Sequence, residues 1–249
     1  MFYTHINTKN KTLDKELFNR ISKELETTNK IDDAKGAIVI GGDGTILTFL
    51  QNYTNSKQLP KIYAFNYGHV GYLLPFNKNE LESIIEMIKS NKKFKSHIRK
   101  RLEIKNHGNF LNEALITRKL PGKLNSYDIY IDDVLFRTVR CDSVLVTTNS
   151  GSSGYNLSAG GPYVDNSCDC IVLTFVSPFR LHYNSHVLNI NRRVKIVVAS
   201  DYCCVVDGFH SFDVHSCVEI SYTGSNLDFA FLPSESSYEK LLFDKIFPR

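Results

Sequence analysis

The chain has 249 residues, 42% of them hydrophobic and 22% charged, with a net charge of +4. This composition fits one large folded domain or two modest ones with a sizeable core, and the mild charge does not argue for a nucleic-acid partner. No run approaches the roughly 18 continuous apolar residues of a membrane-spanning helix. The start, "MFYTHINTKNK", has no apolar signal core. A cytoplasmic chain with neither a membrane nor a nucleic-acid partner is therefore expected.

In chain order, Leu13, Leu17, Ile21 and Leu25 fall at four-residue steps and predict a helix. "GAIVI" (36–40) is short, apolar and partly β-branched, the pattern of a buried strand. The glycine-rich "GGDGT" (41–45) follows, and "TILTFLQNY" (45–53) predicts a second helix. "KIYAF" (61–65) predicts a strand that ends at "NYGHVGYL" (66–73). Leu81, Ile84, Ile85 and Ile88 predict a third helix. Strands alternating with helices imply a parallel α/β unit. The basic run Lys92-Lys93-Phe94-Lys95 and Arg99-Lys100-Arg101 reads as a solvated linker.

Beyond it the pattern changes. "RLEIKNHGNFLNEALITR" (101–118) predicts two strands around His107-Gly108-Asn109. "SYDIYIDDVLFRTVR" (126–140) predicts a hairpin turning at Asp132-Asp133. Strand-like runs recur at 141–148, 170–176, 193–200, 203–209, 217–222 and 227–232 with few helices between them. The expected fold class is α/β plus all-β. A small α/β domain with a parallel sheet spans residues 1–92, and a larger β-rich domain spans 93–232. The helix-patterned tail, about 233–249, is expected to pack back on the first domain. Cys168-Asp169-Cys170 and Cys203-Cys204 are too tightly spaced for a CxxC zinc clip, so the six cysteines read as small core residues of a reduced chain. His182 and His186 stand four apart outside any predicted helix. No metal-ligand set is assigned.

Four stretches carry candidate chemistry. In "IVIGGDGTILTFL" (38–50) a strand runs through glycines into a helix, which brings backbone N–H groups and the positive helix end together as an anion site. A plain strand-to-helix turn needs fewer glycines, and an acid aimed at a phosphate needs a hydroxyl or a metal as partner. Asn112-Glu113 pairs an amide with a carboxylate. "TTNSGSSGYNLSAGGP" (147–162) follows a strand, mixes hydroxyls with glycines, and offers Tyr155 for stacking on a base. Asp207-Gly208 is first of all a hairpin signal. There is no GxxxxGK[ST] and no GxGxxG, and "GSSG" (151–154) is not a GxSxG nucleophile elbow.

Taken in order, "GGDGT", "NYGHVGYL", "NE" (112–113), "CDS" (141–143), "TNSGSSGYNLSAGGP" (148–162) and "DG" (207–208) resemble the NAD kinase family, over about residues 36–225. The resemblance implies phosphorylation of the 2′-hydroxyl of the adenosine ribose of NAD, with ATP or polyphosphate as donor and Mg²⁺ as cofactor, in a homodimer or homotetramer. It makes Asp43 the catalytic acid that orients or deprotonates the hydroxyl. Asp43, Gly44, Asn112, Glu113, Asp142, Ser153, Gly154, Tyr155, Ser158 and Asp207 become the NAD contacts. Gly41, Gly42, Gly44, Thr45 and Arg140 become the phosphate contacts. Three departures stand out. Cys141-Asp142-Ser143 replaces Gly-Asp-Gly, which adds a side chain where the family keeps close backbone approach. Asn149 replaces a stiffening proline. Phe209 follows Asp-Gly where a polar residue is common. The rival readings are a GGDGT-type lipid kinase and a catalytically weak NAD(P)-binding sensor.

Overall fold

The computed structural model describes residues 1–120, 125–180, 183–199 and 201–232. His182 and the helix-patterned tail from residue 233 lie outside the described residues. Two compact units emerge: Met1–Arg99 with the strand Asn226–Phe231, and Lys100–Ser225.

In the first unit the strands lie in the order Thr27–Thr28, Phe2–Asn7, Gly36–Gly41, Lys61–Asn66, Asn226–Phe231 and Lys95–Lys100, with Phe76–Asn77 also paired to Lys61–Asn66. Gly36–Gly41 is buried along its whole length, with parallel neighbours on both sides. Its continuous apolar sequence suits a strand covered on both faces. Phe2–Asn7 alternates instead. Phe2 belongs to an apolar cluster with Leu17, Ile21, Ile84, Ile85 and Ile88, from the helices Lys11–Glu24 and Leu81–Lys89. Tyr3 and His5 turn to Phe49 of the helix Asp43–Gln51, at ring-centroid distances of 5.9 and 5.6 Å.

Two findings differ from the sequence expectation. Asn226–Phe231, grouped by sequence with the β-rich part, lies parallel to Lys61–Asn66, with Phe229 opposite Ile62. The basic "linker" contributes the strand Lys95–Lys100, and both Arg99 and Arg101 are buried.

The second unit holds two six-stranded antiparallel sheets that share one apolar core. The first runs Val134–Cys141, Asn125–Ile131, Val194–Val197, Cys217–Ser221, Leu102–Ile104, Gly108–Phe110. The second runs His186–Asn189, Cys170–Val176, Ser143–Thr148, Glu113–Arg118, Tyr202–Val206, His210–Val214. Alternate residues such as Ala114, Ile116, Val144 and Val146 face the core, as the two-residue strand period requires. The stretch 101–118 forms three strands rather than two. Asp132 and Asp133 have φ of 50° and 66°, the left-handed pair of a type I′ hairpin turn. Cys141, Cys170 and Cys204 are buried, whereas Cys168 is exposed.

Candidate functional site

The glycine-rich turn of the first unit is built from its two neighbouring motifs. A Cβ on Gly41 would lie 2.5 Å from the backbone oxygen of Asn7, so only glycine fits there. Gly42 precedes the helix Asp43–Gln51. Its N–H donates to Thr45 Oγ1 at 3.2 Å, and that hydroxyl donates to the Asn7 carbonyl at 3.1 Å. Thr45 is buried and engaged with the turn itself, while Gly44 is exposed.

Asp43 is half-buried at the head of the helix, where the helix dipole favours a negative charge. Its Oδ2 accepts the Gly71 N–H at 3.1 Å and its Oδ1 accepts the Leu73 N–H at 2.6 Å. The carboxylate is thus oriented by the backbone of "NYGHVGYL". That loop is itself held by Asn66, whose Oδ1 accepts the Gly68 N–H at 2.9 Å and whose Nδ2 donates to the Val70 carbonyl at 3.3 Å. Gly71 takes φ 68°, and a Cβ there would strike the Asn66 amide at 2.2 Å. A Cβ on Gly68 would come within 3.1 Å of Gly42 Cα, so the two glycine turns abut.

In the second unit Asp207 and Gly208 have φ of 49° and 72°, and the Phe209 N–H donates to the Val206 carbonyl at 3.1 Å. This is the expected hairpin turn. Its carboxylate, however, points inward. Asp207 is 6% exposed, and it accepts the N–H groups of Leu111 (3.0 Å), Asn112 (2.7 Å) and Glu113 (3.3 Å). Burial raises its pKa, while these three bonds and the charge of Arg101 oppose the rise.

Glu113 is 8% exposed, and its Oε2 has no hydrogen-bond partner among the described residues. Burial first, and the Asp207 charge second, push its pKa up to about 7. The folded state therefore holds a proton that the unfolded state, with a carboxyl pKa of about 4.3, releases. Glu113 contributes its full stability below about pH 4.3 and loses it as pH rises through about 7, a span worth on the order of 3 kcal/mol. Glu113→Gln should accordingly raise the melting temperature relative to the parent chain more at pH 8 than at pH 5. Equal shifts at both pH values in thermal melts would reject the raised pKa.

The 149–162 loop is an ordered cap. Asn149 takes φ −59°, close to the angle a proline ring imposes. Its Nδ2 donates to the Asn166 carbonyl and its Oδ1 accepts the Ser150 N–H, both at 2.9 Å. Two buried hydrogen bonds thus hold the turn that a proline would stiffen. Ser152 Oγ bonds Asn149 and Val164, and the buried Asn156 links Ser152, Pro162 and Thr174. A Cβ on Gly151 would overlap the Asn112 carbonyl at 2.3 Å, and one on Gly154 would sit 3.6 Å from Glu113 Oε2. The loop therefore packs directly on Asn112-Glu113. Ser153 and Gly154 are partly buried, whereas Tyr155 and Ser158 are exposed.

Arg140 and Asp142 are not brought to this cluster. They flank the start of Ser143–Thr148, whose far end meets Glu113 through Thr147. Six strand steps place Asp142 about 20 Å from Thr148. Asp142 is exposed, and Arg140 stacks over Phe179 at 5.3 Å. The departures at 141 and 143 point inward: Cys141 Sγ donates to the Ser143 carbonyl, and Ser143 Oγ bonds Thr117 Oγ1 at 2.8 Å. The added Ser143 side chain is thus used between neighbouring strands. Sequence reasoning missed Asn66, Asn156, Arg99 and Arg101. Asn66 and Asn156 lay within the recognised motifs, and only their hydrogen bonds show what they do.

Comparisons with known proteins agree with this geometry. The ATP-NAD kinase N-terminal domain matches residues 3–93 and the ATP-NAD kinase C-terminal domain matches residues 111–234. An NAD kinase of Archaeoglobus fulgidus is 33% identical over 93% of this chain and 88% of its own length. A bifunctional NADP phosphatase/NAD kinase of Methanococcus maripaludis is 33% identical over 90% of this chain, which spans only 41% of that relative. The crystal structure of an NAD kinase from Archaeoglobus fulgidus in complex with ATP superposes with a TM-score of 0.84 at 25% identity, covering 99% of this chain and 98% of that one. Motif order, fold and these matches agree: the chain belongs to the NAD kinase family.

Proposed function

We propose that the chain transfers the γ-phosphoryl group of ATP to the 2′-hydroxyl of the adenosine ribose of NAD, giving NADP and ADP. The observation that carries this reading is the Asp43 carboxylate, oriented through both oxygens by the Gly71 and Leu73 amides. A carboxylate offers about four lone-pair sites, so sites remain to accept a hydroxyl proton. In the proposed step the ribose 2′-oxygen bonds to the γ-phosphorus. The bond from that phosphorus to the β–γ bridging oxygen breaks, and ADP leaves with the electron pair. The hydroxyl proton passes to Asp43. Phosphoryl transfer relies mainly on positioning and charge stabilisation, and a rigidly held acid suits it.

Gly44, exposed at the helix head, is assigned to phosphate, while Gly41, Gly42 and Thr45 give the turn its shape. Asn112 and Glu113 are assigned to the adenine and ribose of NAD, with Asp207 holding their backbone. Ser153, Gly154, Tyr155 and Ser158 are assigned to the adenine-side cap, and Asp142 and Arg140 to more distant parts of the dinucleotide. Among the described residues no three His, Cys, Asp or Glu side chains cluster as a metal cage. Magnesium commonly binds through phosphates, water and one or two carboxylates, so the proposal has Mg²⁺ arrive with ATP. Among the described residues no helix is long and apolar enough to cross a membrane.

The test is incubation with NAD, Mg²⁺ and either ATP or polyphosphate, with NADP read by a coupled dehydrogenase. NADP formation is expected with ATP. Tight NAD binding by calorimetry without NADP would favour a sensor, and phosphorylated lipid in a parallel incubation supplied with diacylglycerol in place of NAD would favour the lipid-kinase alternative.

A further inference from the structure

The basic stretch near residue 100 carries two interior arginines. Arg99 is 1% exposed and Arg101 0%. Lys100, between them, turns outward to Asp169 at 2.6 Å. Burying a guanidinium is costly unless it meets specific partners, and these two have different ones. The Arg99 guanidinium lies 5.2 Å over the Tyr72 ring and 5.8 Å over the Phe229 ring. Tyr72 stands between Gly71 and Leu73, the residues whose amides hold Asp43. Arg101 donates its backbone N–H to the Ser225 carbonyl at 2.9 Å and its Nε to Ser225 Oγ at 3.0 Å. Leu102 pairs with Phe110 at the end of the ladder, and Arg101 and Leu111 are the next residues beyond that pair, Leu111 giving the first amide on Asp207. Its positive charge favours the ionised form of Asp207.

We propose that Arg99 and Arg101 are positioning residues, one for each motif. Arg99 seats Tyr72 and thereby the two amides that orient Asp43, and Arg101 balances Asp207 and thereby fixes the Leu111–Glu113 backbone. The kinetic part rests on the kinase reading above, whereas the structural part does not.

Arg99→Lys and Arg101→Lys separate the two arms when amide hydrogen exchange is resolved by residue, well below melting. Arg99→Lys should speed exchange at Gly71 and Leu73 about tenfold, part of what a desolvated cation–π contact contributes, and leave Leu111, Asn112 and Glu113 unchanged. Arg101→Lys should do the reverse. In NADP formation, the Arg99 variant should lose kcat about tenfold with KM for NAD held within about twofold, and the Arg101 variant should raise KM for NAD with kcat nearly kept. Should either arginine variant fail to fold, Tyr72→Leu removes the first ring under Arg99 and Ser225→Ala the hydroxyl that holds the Arg101 Nε, and each must give the same crossed pattern. Exchange that rises evenly across the unit, or does not change at these amides, overturns the proposal. A wild-type chain that makes no NADP removes the kinase reading alone, because the exchange pattern still decides the positioning roles.

Discussion

Asp43→Asn is expected to lower kcat for NADP formation by about 10²- to 10⁴-fold, the usual contribution of a positioned general base. KM for NAD should stay within a few-fold. The substitution is not a silent isostere here. Asn offers one acceptor oxygen and one amide donor, while Asp43 meets two N–H donors, from Leu73 at 2.6 Å and Gly71 at 3.1 Å. The oxygen should keep the shorter bond to Leu73, leaving two donors face to face at Gly71. A stability loss of about 1–3 kcal/mol is therefore expected beside the catalytic loss. Turnover must be measured on protein shown to be folded, by circular dichroism at the assay temperature. A kcat within threefold of the parent chain would remove Asp43 as the proton acceptor.

The fold was legible where burial and turn chemistry act locally. "GAIVI" and "KIYAF" are continuous apolar runs, and Asp132-Asp133 and Asp207-Gly208 carry the residues that type I′ turns need. Phe2–Asn7 was not legible, because "FYTHIN" mixes Thr4, His5 and Asn7 among its apolar residues. It is a strand because a helix covers each face: Phe2 packs with Leu17 and Ile21, and Tyr3 and His5 pack on Phe49. The placement of Asn226–Phe231 beside Lys61–Asn66 has no local signal, since the partner lies far away in sequence. The same limit applied to the site. The two glycine motifs were visible, but not that Asp43 is gripped by the second through backbone amides. Arg99 and Arg101 read as solvated because charge normally is, and their partners Tyr72 and Ser225 are remote along the chain. Asp207 read as a turn, and it is one. Its second role appears only when residues 94 to 96 positions earlier fold against it.

That second role predicts the largest stability effect. Asp207→Ala removes the acceptor for three buried amides. Leaving a buried donor unsatisfied costs about 1–3 kcal/mol, so three of them together cost at least about 3 kcal/mol, enough to lower the melting midpoint by on the order of 6–12 °C. Asp207→Asn should fall between the two. Its oxygen can keep the Asn112 and Glu113 amides, as Oδ1 now does, but its amide group meets the Leu111 N–H donor. Both changes also remove a negative charge that raises the Glu113 pKa. Glu113 then ionises at lower pH, and the stability lost between about pH 4.3 and 7 shrinks. A loosened Asn112-Glu113 backbone should raise KM for NAD in the Asn variant more than it lowers kcat. Thermal melts at pH 5 and pH 8 with steady-state kinetics test every part of this. If Asp207→Ala melts within 2–3 °C of the parent at both pH values, roughly the effect of an ordinary surface substitution, the inward carboxylate is not what holds Asn112 and Glu113 in place.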